Sequence, residues 1–222
     1  MKKTYFAILV LLAAAISCKK STAPAVVDSP KYMSFTAGST WTYETQNNIA
    51  ATTTTNIVTS TNRDSTIESR VYHVFTNSNG ALNDYYNITL NDYWTFKNLS
   101  AAQGINPVST IYLKDNAAVN ISWSQIVNVP VSGFPAPIPV TFTNTIAEKG
   151  ISRTVNGKAY TDVIRTTTTI AVQGLPPGSI TTDIQSYYAA KYGLIESKYK
   201  INIPLLTVNA DQNTILKTSD IK

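Results

Sequence analysis

The sequence is poor in the residues that build metal centres, cross-links and hydrolytic sites. Its 222 residues include one cysteine and one histidine, which excludes a disulfide framework and a Cys/His metal cluster. No G-x-S-x-G nucleophile elbow, glycine-rich phosphate loop or calcium loop of alternating acidic residues is present. We therefore expect a protein that is not an enzyme and that binds no metal or cofactor.

Charge is also scarce, and it is not clustered. Charged residues make up 14% of the chain, against about 25% in an average domain. The net charge is +5 and the sequence pI is about 9.2, but the Lys and Arg residues form no stripe. Because nucleic-acid binding needs a clustered basic surface, we expect no nucleic-acid partner.

Long apolar runs are missing except at the start of the chain. Tyr5 to Ile16 is an uncharged, mostly apolar stretch of twelve residues that follows Lys2 and Lys3. It is too short to span a bilayer, which takes about 20 residues. A positive segment followed by a short apolar one is typical of a secretory signal peptide.

The single cysteine stands directly after this apolar stretch, in the sequence AISC. The motif resembles the lipobox of bacterial lipoproteins, which implies cleavage between Ser17 and Cys18 and transfer of diacylglycerol to the thiol. The alternative is an ordinary secretory signal that contains a cysteine. We predict a signal peptide over 1–17, a lipidated Cys18 with a flexible tether over 18–34, and stable membrane anchoring, since two or more acyl chains hold a protein firmly.

The residues after Cys18 bear on the compartment. Lipoproteins that Bacteroidota send to the cell surface often carry acidic residues just after the cysteine. Here Lys19 and Lys20 follow it, and the first acid is Asp28. By that resemblance we expect an outer-membrane lipoprotein that faces the periplasm.

The rest of the chain is rich in strand and hairpin signals. Threonine occurs 31 times, and apolar residues alternate with polar ones, which is typical of half-buried strands. Asn156-Gly157 and Asn79-Gly80 are hairpin-turn dipeptides, and short connections imply antiparallel neighbours. We predict one all-β domain over 35–222, an antiparallel meander. Its predicted strands are Thr40–Glu44, Ile49–Ser60, Ile67–Thr76, Tyr85–Leu90, Tyr93–Lys97, Thr110–Leu113, Val119–Trp123, Val140–Glu148, Lys158–Val172, Ile180–Ala189, Leu194–Ile203 and Thr214–Thr218.

Three segments together resemble motifs of Bacteroidota lipoproteins of unknown function. They are FTAGSTWTY at 35–43, VNGKAYTDVI at 155–164 and YYAAKYGLIE at 187–196, where Tyr192 departs from the usual pattern. The resemblance covers most of 35–200. It implies a long sheet curled into an open or incomplete barrel, similar to periplasmic carriers that hold acyl chains on a concave face. It implies no catalytic residues.

Aromatic and proline-rich segments supply the candidate binding residues. In the predicted strand Tyr93–Lys97, Trp94 and Phe96 face opposite to their neighbours, so we take them as ligand-facing candidates. Val129 to Pro139 contains four prolines, which suits a surface loop or an edge crossing; alternatively it is an apolar flap with Phe134 and Ile138 over an opening.

The expected ligand is a lipid, a hydrophobic small molecule or a glycan. The alternative function is a protein- or glycan-interaction module that uses exposed aromatics and sheet edges.

His73 and the acids are the remaining chemical candidates. His73 lies on a predicted strand and could serve as a general base, but no nucleophile signature accompanies it, so we expect a structural role. Asp84, Asp92 and Asp115 lie near turns, where Asp commonly caps backbone groups. A hydrolase that uses paired carboxylates is the third hypothesis, since the sequence does not cluster them.

Overall fold

The computed structural model describes residues 31–97, 108–129, 135–176, 178–204 and 207–222. These residues form twelve strands and, within those ranges, no α-helix. The predicted all-β antiparallel class is confirmed. The strands are β1 Thr40–Asn47, β2 Thr52–Ile67, β3 Arg70–Asn77, β4 Asp84–Thr89, β5 Asp92–Lys97, β6 Val108–Lys114, β7 Ser122–Val129, β8 Ile138–Val155, β9 Lys158–Val172, β10 Thr181–Ala189, β11 Gly193–Ile203 and β12 Val208–Asp220.

All twelve strands belong to one sheet that curls into a nearly closed barrel. Its order is β6-β5-β4-β3-β2-β1-β12-β11-β10-β9-β8-β7. The first and last strands therefore pair in the middle of the sheet, from Thr40 opposite Asp220 to Asn47 opposite Gln212. The two edges are β6 and β7, which follow one another in the chain. The barrel consequently has one unsealed seam, between β6 and β7.

Most strand predictions hold, and the differences have local causes. β9 covers Lys158–Val172 as predicted, and the turn before it has φ of 49° at Asn156 and 77° at Gly157, as a type I′ hairpin requires. β12 begins at Val208, six residues before the prediction. Its polar start pairs with β11, because neighbouring strands override a weak local strand preference.

The proline-rich segment is shorter than predicted. β7 continues to Val129 and β8 already begins at Ile138, so the ends of the expected loop belong to paired strands. Pro139 lies opposite Asn128. Its missing N–H is tolerated because it stands at the end of the strand.

The two ends of the barrel differ, and we name them by their connections. The base is the end where Thr40 and Asp220 meet, with the turn at Asn156-Gly157; the mouth is the opposite end, where β1 turns into β2. A strap of residues 31–39 crosses the base. The backbone N–H of Tyr32 donates to the Tyr93 hydroxyl at 3.0 Å, and that of Gly38 donates to the Ser60 carbonyl at 2.9 Å.

The strap completes the hydrophobic core at the base. Tyr32 is 4% exposed, although the sequence places it in the tether. Beneath it lie inward-facing side chains that are fully buried, because alternate residues of each strand point into the barrel. They are Trp41, Phe75, Tyr93, Leu113, Ile146, Ile164, Ile195 and Leu216.

Candidate functional site

A layer of tyrosines closes the interior above the base. It consists of Tyr43, Tyr86, Tyr112 and Tyr188, from four different strands. The ring centroid of Tyr112 lies 5.9 Å from that of Tyr86 and 5.4 Å from that of Tyr188. The Tyr43 hydroxyl donates to the Leu194 carbonyl at 2.9 Å. These rings separate the hydrophobic core at the base from the part of the interior that lies nearer the mouth.

Burial keeps the tyrosine layer neutral. Desolvation raises the pKa of Tyr188 to about 12, and it raises the pKa values of Tyr43, Tyr86 and Tyr112 above the usual range as well. The neighbouring carboxylate of Asp84 adds to the effect at Tyr43 and Tyr86. A buried phenol without a cation is held in its uncharged form, so none of these groups is poised as a base near neutral pH.

A belt of small polar side chains lies above the tyrosine layer. Thr45 and Thr214 share a hydrogen bond of 2.9 Å between their hydroxyls. Thr168 donates to Asn144 at 2.6 Å on the opposite wall. The Thr95 hydroxyl is buried and has no hydrogen-bond partner among the described residues. The Thr95 hydroxyl is enclosed by surrounding side chains, so the open hydroxyls of the belt are those of the half-buried Thr45 and Thr214.

Toward the mouth, one wall of the barrel becomes apolar. We call this set the mouth cluster. Its buried members come from strands β7, β8, β9 and β11, and half-buried apolar residues of β6, β8, β10 and β12 pack against them. The buried members are Val127, Val129, Val140, Ile170, Val172, Ile201 and Ile203; the half-buried ones include Val108, Ile138, Phe142, Ile184, Val208 and Ala210.

The strand register places the mouth cluster on the inner face. Val127 lies opposite Val140, which lies opposite Val172, so these side chains point to one side of the sheet. Tyr199 has the same orientation as Ile201, two residues further along the strand, and is nevertheless 38% exposed. Solvent therefore reaches the inner face of the sheet at Tyr199.

Side chains, rather than a backbone ladder, bridge the seam between β6 and β7. The Gln125 side chain accepts from the Ile111 N–H at 3.2 Å and donates to the Ser109 carbonyl. The Trp123 indole N–H and the Asn144 amide both donate to the Ile111 carbonyl, at 2.9 and 3.2 Å. Each such bond contributes about 1 kcal/mol, so this contact is weaker than a continuous ladder.

The aromatic residues singled out from the sequence lie on the outer face. The Arg70 guanidinium stacks over the Trp94 ring at 3.7 Å, and Phe96 packs against Tyr72 with ring centroids 6.2 Å apart. Their neighbours Tyr93 and Thr95 are the ones that point inward, where both are buried. The aromatic side chain that this strand contributes to the interior is therefore Tyr93, and not Trp94 or Phe96.

The other residues proposed from the sequence are the flap residues, the lipobox residues and the acids near turns. Ile138 is the first residue of β8, pairs with Val129 and packs against the mouth cluster. Phe134, Ser17 and Cys18 lie outside the described residues. Asp84 accepts from Asn77 at 3.1 Å, and Asp115 accepts from the Tyr93 hydroxyl at 2.8 Å. Both acids thus have ordinary hydrogen-bonding partners.

His73 has partners that the sequence did not reveal. Its Nδ1 lies 2.8 Å from Asp64 Oδ1, and its Nε2 lies 3.0 Å from Ser60 Oγ. This is the order of a Ser-His-Asp relay. Ser60, however, is 1% exposed and lies under Phe35, whose ring stacks on His73 at 5.1 Å and whose carbonyl is 3.1 Å from Oγ.

This arrangement fastens the strap to the barrel. The strap covers Ser60 Oγ, so a substrate has no path to it while the strap is in place. Sequence spacing could not have found the group, because a bulge in β2 between Ser60 and Asp64 brings both residues to His73. The geometry joins the strap, through Phe35, to strands β2 and β3.

Among the described residues, no group of three or more His, Cys, Asp or Glu residues could hold a metal ion. The same residues contain no helix with the length and apolarity to cross a membrane.

Comparison with known proteins identifies the fold. No family model and no curated protein matches the chain. Among solved structures, the chain is similar to one named as a lipoprotein from Parabacteroides distasonis, at 13% identity and a TM-score of 0.52, over 87% of this chain and 100% of that one. An exported protein from Bacteroides fragilis with a YmcC-like fold matches at 9% identity and a TM-score of 0.39, over 83% and 96%. The first likeness shows a shared fold with a protein of the Bacteroidota.

Proposed function

We propose that this protein is a lipoprotein of the bacterial cell envelope whose β-domain binds an apolar or amphipathic ligand inside the barrel without catalysis. The observation that carries the proposal is the mouth cluster, an apolar wall on the inner face of a barrel whose interior stays accessible at Tyr199. A soluble domain with no such ligand would gain stability by filling that space, since interiors pack to crystal-like density.

The interior suits a ligand with one polar group. Its apolar part would lie against Phe142, Ile170 and Ile184 of the mouth cluster, where each buried CH₂ contributes about 0.8 kcal/mol. Its polar group would reach the belt, where the half-buried Thr45 and Thr214 hydroxyls lie 2.9 Å apart. The neutral tyrosine layer would stop the ligand above the base. Fatty acids, other lipids and hydrophobic small molecules have this form.

The location follows from the proposed lipobox. Cleavage between Ser17 and Cys18 and acylation of Cys18 would anchor the chain, and Lys19 and Lys20 favour the periplasmic face of the outer membrane. The strap enters at the base, where the Lys191 N–H donates to the Lys31 carbonyl, so the base would lie nearer the bilayer and the mouth would point away. The fold shared with a structure named as a lipoprotein supports a place in the cell envelope.

Mass spectrometry of the mature N-terminus tests the anchor. We expect the first residue to be Cys18 carrying a diacylglycerol on its sulfur. A free thiol at Cys18, or an N-terminus at another position, would contradict it.

Equilibrium binding of a dansyl-labelled fatty acid tests the ligand site. We expect the dansyl fluorescence to rise with a saturable dependence on protein concentration. Phe142→Asn should weaken this binding at least tenfold, because it places an amide in the apolar wall. The matched control is Ile57→Asn, at an apolar residue of β2 that is 41% exposed. No saturable binding to the unsubstituted protein would refute the proposal.

A second function is favoured by apolar residues on the outer surface. Val119, Ile121 and Ile126, near and on β7, are 44%, 51% and 65% exposed. Exposed apolar residues that lie together are typical of protein-interaction surfaces. A photo-crosslinking residue at position 126 would give one discrete adduct in whole cells if β7 carries an interaction surface, and no defined adduct if it does not.

A further inference from the structure

We propose that the apolar ligand enters the barrel sideways, through the seam between β6 and β7, and that the Gln125 side chain is the latch of this seam. The inference rests on the proposed function, because it describes the route to the same interior site. It is carried by three features of the seam: the type of bonds that close it, the residues behind it and the difference between its two ends.

The bonds across the seam are made by side chains. Elsewhere the sheet is held by backbone ladders, whereas the described parts of β6 and β7 share none. The Gln125 amide accepts from the Ile111 N–H and donates to the Ser109 carbonyl. It thus replaces one peptide unit of an absent strand. A rotation of this side chain releases both bonds at once, which no backbone ladder allows.

The mouth cluster lies directly behind the latch. Val127 and Val129 stand on edge strand β7, yet they are only 4% and 9% exposed, because they face inward against the rest of the cluster. Val108 packs against the same cluster from β6, on the other side of the seam. Separation of the two edges on the mouth side of Gln125 therefore uncovers the apolar wall itself.

The base end of the seam is fixed, so β6 and β7 can separate only at the mouth end. The residues between β6 and β7 connect the two edges covalently, and their backbone is bound to β8: the Asn120 N–H donates to the Ile146 carbonyl at 2.7 Å, and the Ile146 N–H donates to the Ile121 carbonyl at 3.0 Å. Trp123 adds its bond to Ile111 on this side of Gln125. The edges can therefore separate at the mouth while the base end acts as a hinge.

The outer side of the seam suits the approach of an apolar chain. β7 contains no charged residue and no proline, although edge strands commonly carry both as protection against unwanted contacts. Ile126 is 65% exposed on its outer face. An alkyl chain can thus move from Ile126 to Val127 across the edge of one strand, without passing a charged group on that strand.

Stopped-flow uptake of the dansyl-labelled fatty acid tests the route. All variants carry Cys18→Ala in the full chain, so that introduced cysteines are the only thiols. Ser109→Cys with Ser124→Cys places one thiol on each edge, and a short bismaleimide then locks the seam. We expect the lock to slow uptake at least tenfold. The matched control is Ser122→Cys with Thr145→Cys, cross-linked across β7 and β8, which are already paired with these two hydroxyls 2.8 Å apart.

Removal of the latch tests the role of Gln125 itself. Gln125→Ala should speed uptake severalfold and leave equilibrium affinity nearly unchanged, because the amide does not belong to the apolar wall. Gln46→Ala, at an exposed position of β1, should have no effect. Binding that is normal and equally fast with the seam locked would overturn the lateral route and leave the proposed function standing. Absence of binding in every variant would refute both.

Discussion

The base and the mouth of this barrel are made from the same strands, yet they are closed in different ways. At the base, aromatic and branched side chains from ten strands meet under the strap, and Trp41, Tyr93 and Leu216 are at most 1% exposed. Toward the mouth, threonine and asparagine side chains form the belt, and valines and isoleucines form the mouth cluster. The most completely buried of the large apolar side chains lie toward the base, whereas the buried members of the mouth cluster are 4–9% exposed, so we expect the base to be the more stable end.

The seam follows the same division. Its base end is held by the connection between β6 and β7 and by Trp123, whereas Gln125 provides the described bonds nearest the mouth. Regions with few buried contacts open at a lower free-energy cost than the core. The difference between the ends can therefore be measured, and we order the tests from the largest expected effect to the smallest.

Truncation of a base residue should cost the most. Trp41 is 1% exposed, and its indole N–H donates to the Tyr192 carbonyl at 2.8 Å. Trp41→Ala should lower the free energy of unfolding by about 3–5 kcal/mol, the usual cost of a large cavity, as measured by urea denaturation. The matched control is Trp94→Ala on the outer face, which should cost at least about 2 kcal/mol less. Equal losses would show that the base is not the stable end.

Alkaline pH should lower the free energy of unfolding, because the buried tyrosine layer resists ionisation. The pKa of Tyr188 is raised to about 12 in the folded protein, against about 10 in the unfolded chain. Between these values the unfolded chain releases a proton that the folded one retains, so stability is complete below pH 10 and falls as the pH rises. The loss at pH 12 is about 2 kcal/mol for Tyr188 alone.

Urea denaturation at pH 8 and at pH 11 measures this fall. Tyr188→Phe should make the pH dependence shallower, because phenylalanine has no proton to release. An identical pH dependence in the two proteins would mean that Tyr188 is ionised as easily in the folded state as in the unfolded one.

Loosening of the strap should have an intermediate effect. Phe35 is half-buried and stacks on His73 at 5.1 Å, so Phe35→Ala should cost about 2 kcal/mol, less than a fully buried aromatic. Amide hydrogen exchange at Gly38, whose N–H donates to Ser60, should accelerate. Thr36→Ala, at an exposed strap position, should leave exchange at Gly38 unchanged; if it has the same effect as Phe35→Ala, the stacked ring is not what holds the strap.

Removal of the seam latch should have the smallest effect on stability. Gln125→Ala removes two hydrogen bonds at an edge and should cost about 1 kcal/mol, with faster amide exchange at Ile111. Gln46→Ala should stay within about 0.5 kcal/mol of the unsubstituted protein. A loss at Gln125 as large as that at Trp41 would show that the seam is part of the core.

Much of the architecture could be predicted from local patterns. The Asn156-Gly157 turn fixes the β8–β9 hairpin because both residues accept positive φ, and the alternation in 40–44 sets the inward phase of Trp41 and Tyr43. The same alternation predicted opposite faces for Tyr93 and Trp94, as observed. The alternation could not decide which of the two faces points into the barrel, because both faces of this strand carry aromatic side chains.

The candidate site depended on contacts between distant strands. The mouth cluster collects residues from β6 to β12, and the sequence shows each of them only as an ordinary strand valine or isoleucine. The relay-like contact of Ser60, Asp64 and His73 arises from a bulge, which changes the register by an amount that spacing does not reveal. The lack of periodicity around Tyr32 predicts a tether, whereas its burial results from its packing across the base.

The sequence by itself determined the strands, the tight turns and the scarcity of ionisable chemistry, since these depend on each residue's backbone preferences and on composition. Only the tertiary structure decided that β1 would pair with β12, that the edges would be β6 and β7, and that a glutamine would bridge them. Closure of a sheet depends on the summed twist and stagger of all its strands, and that sum is a property of the whole chain rather than of any segment.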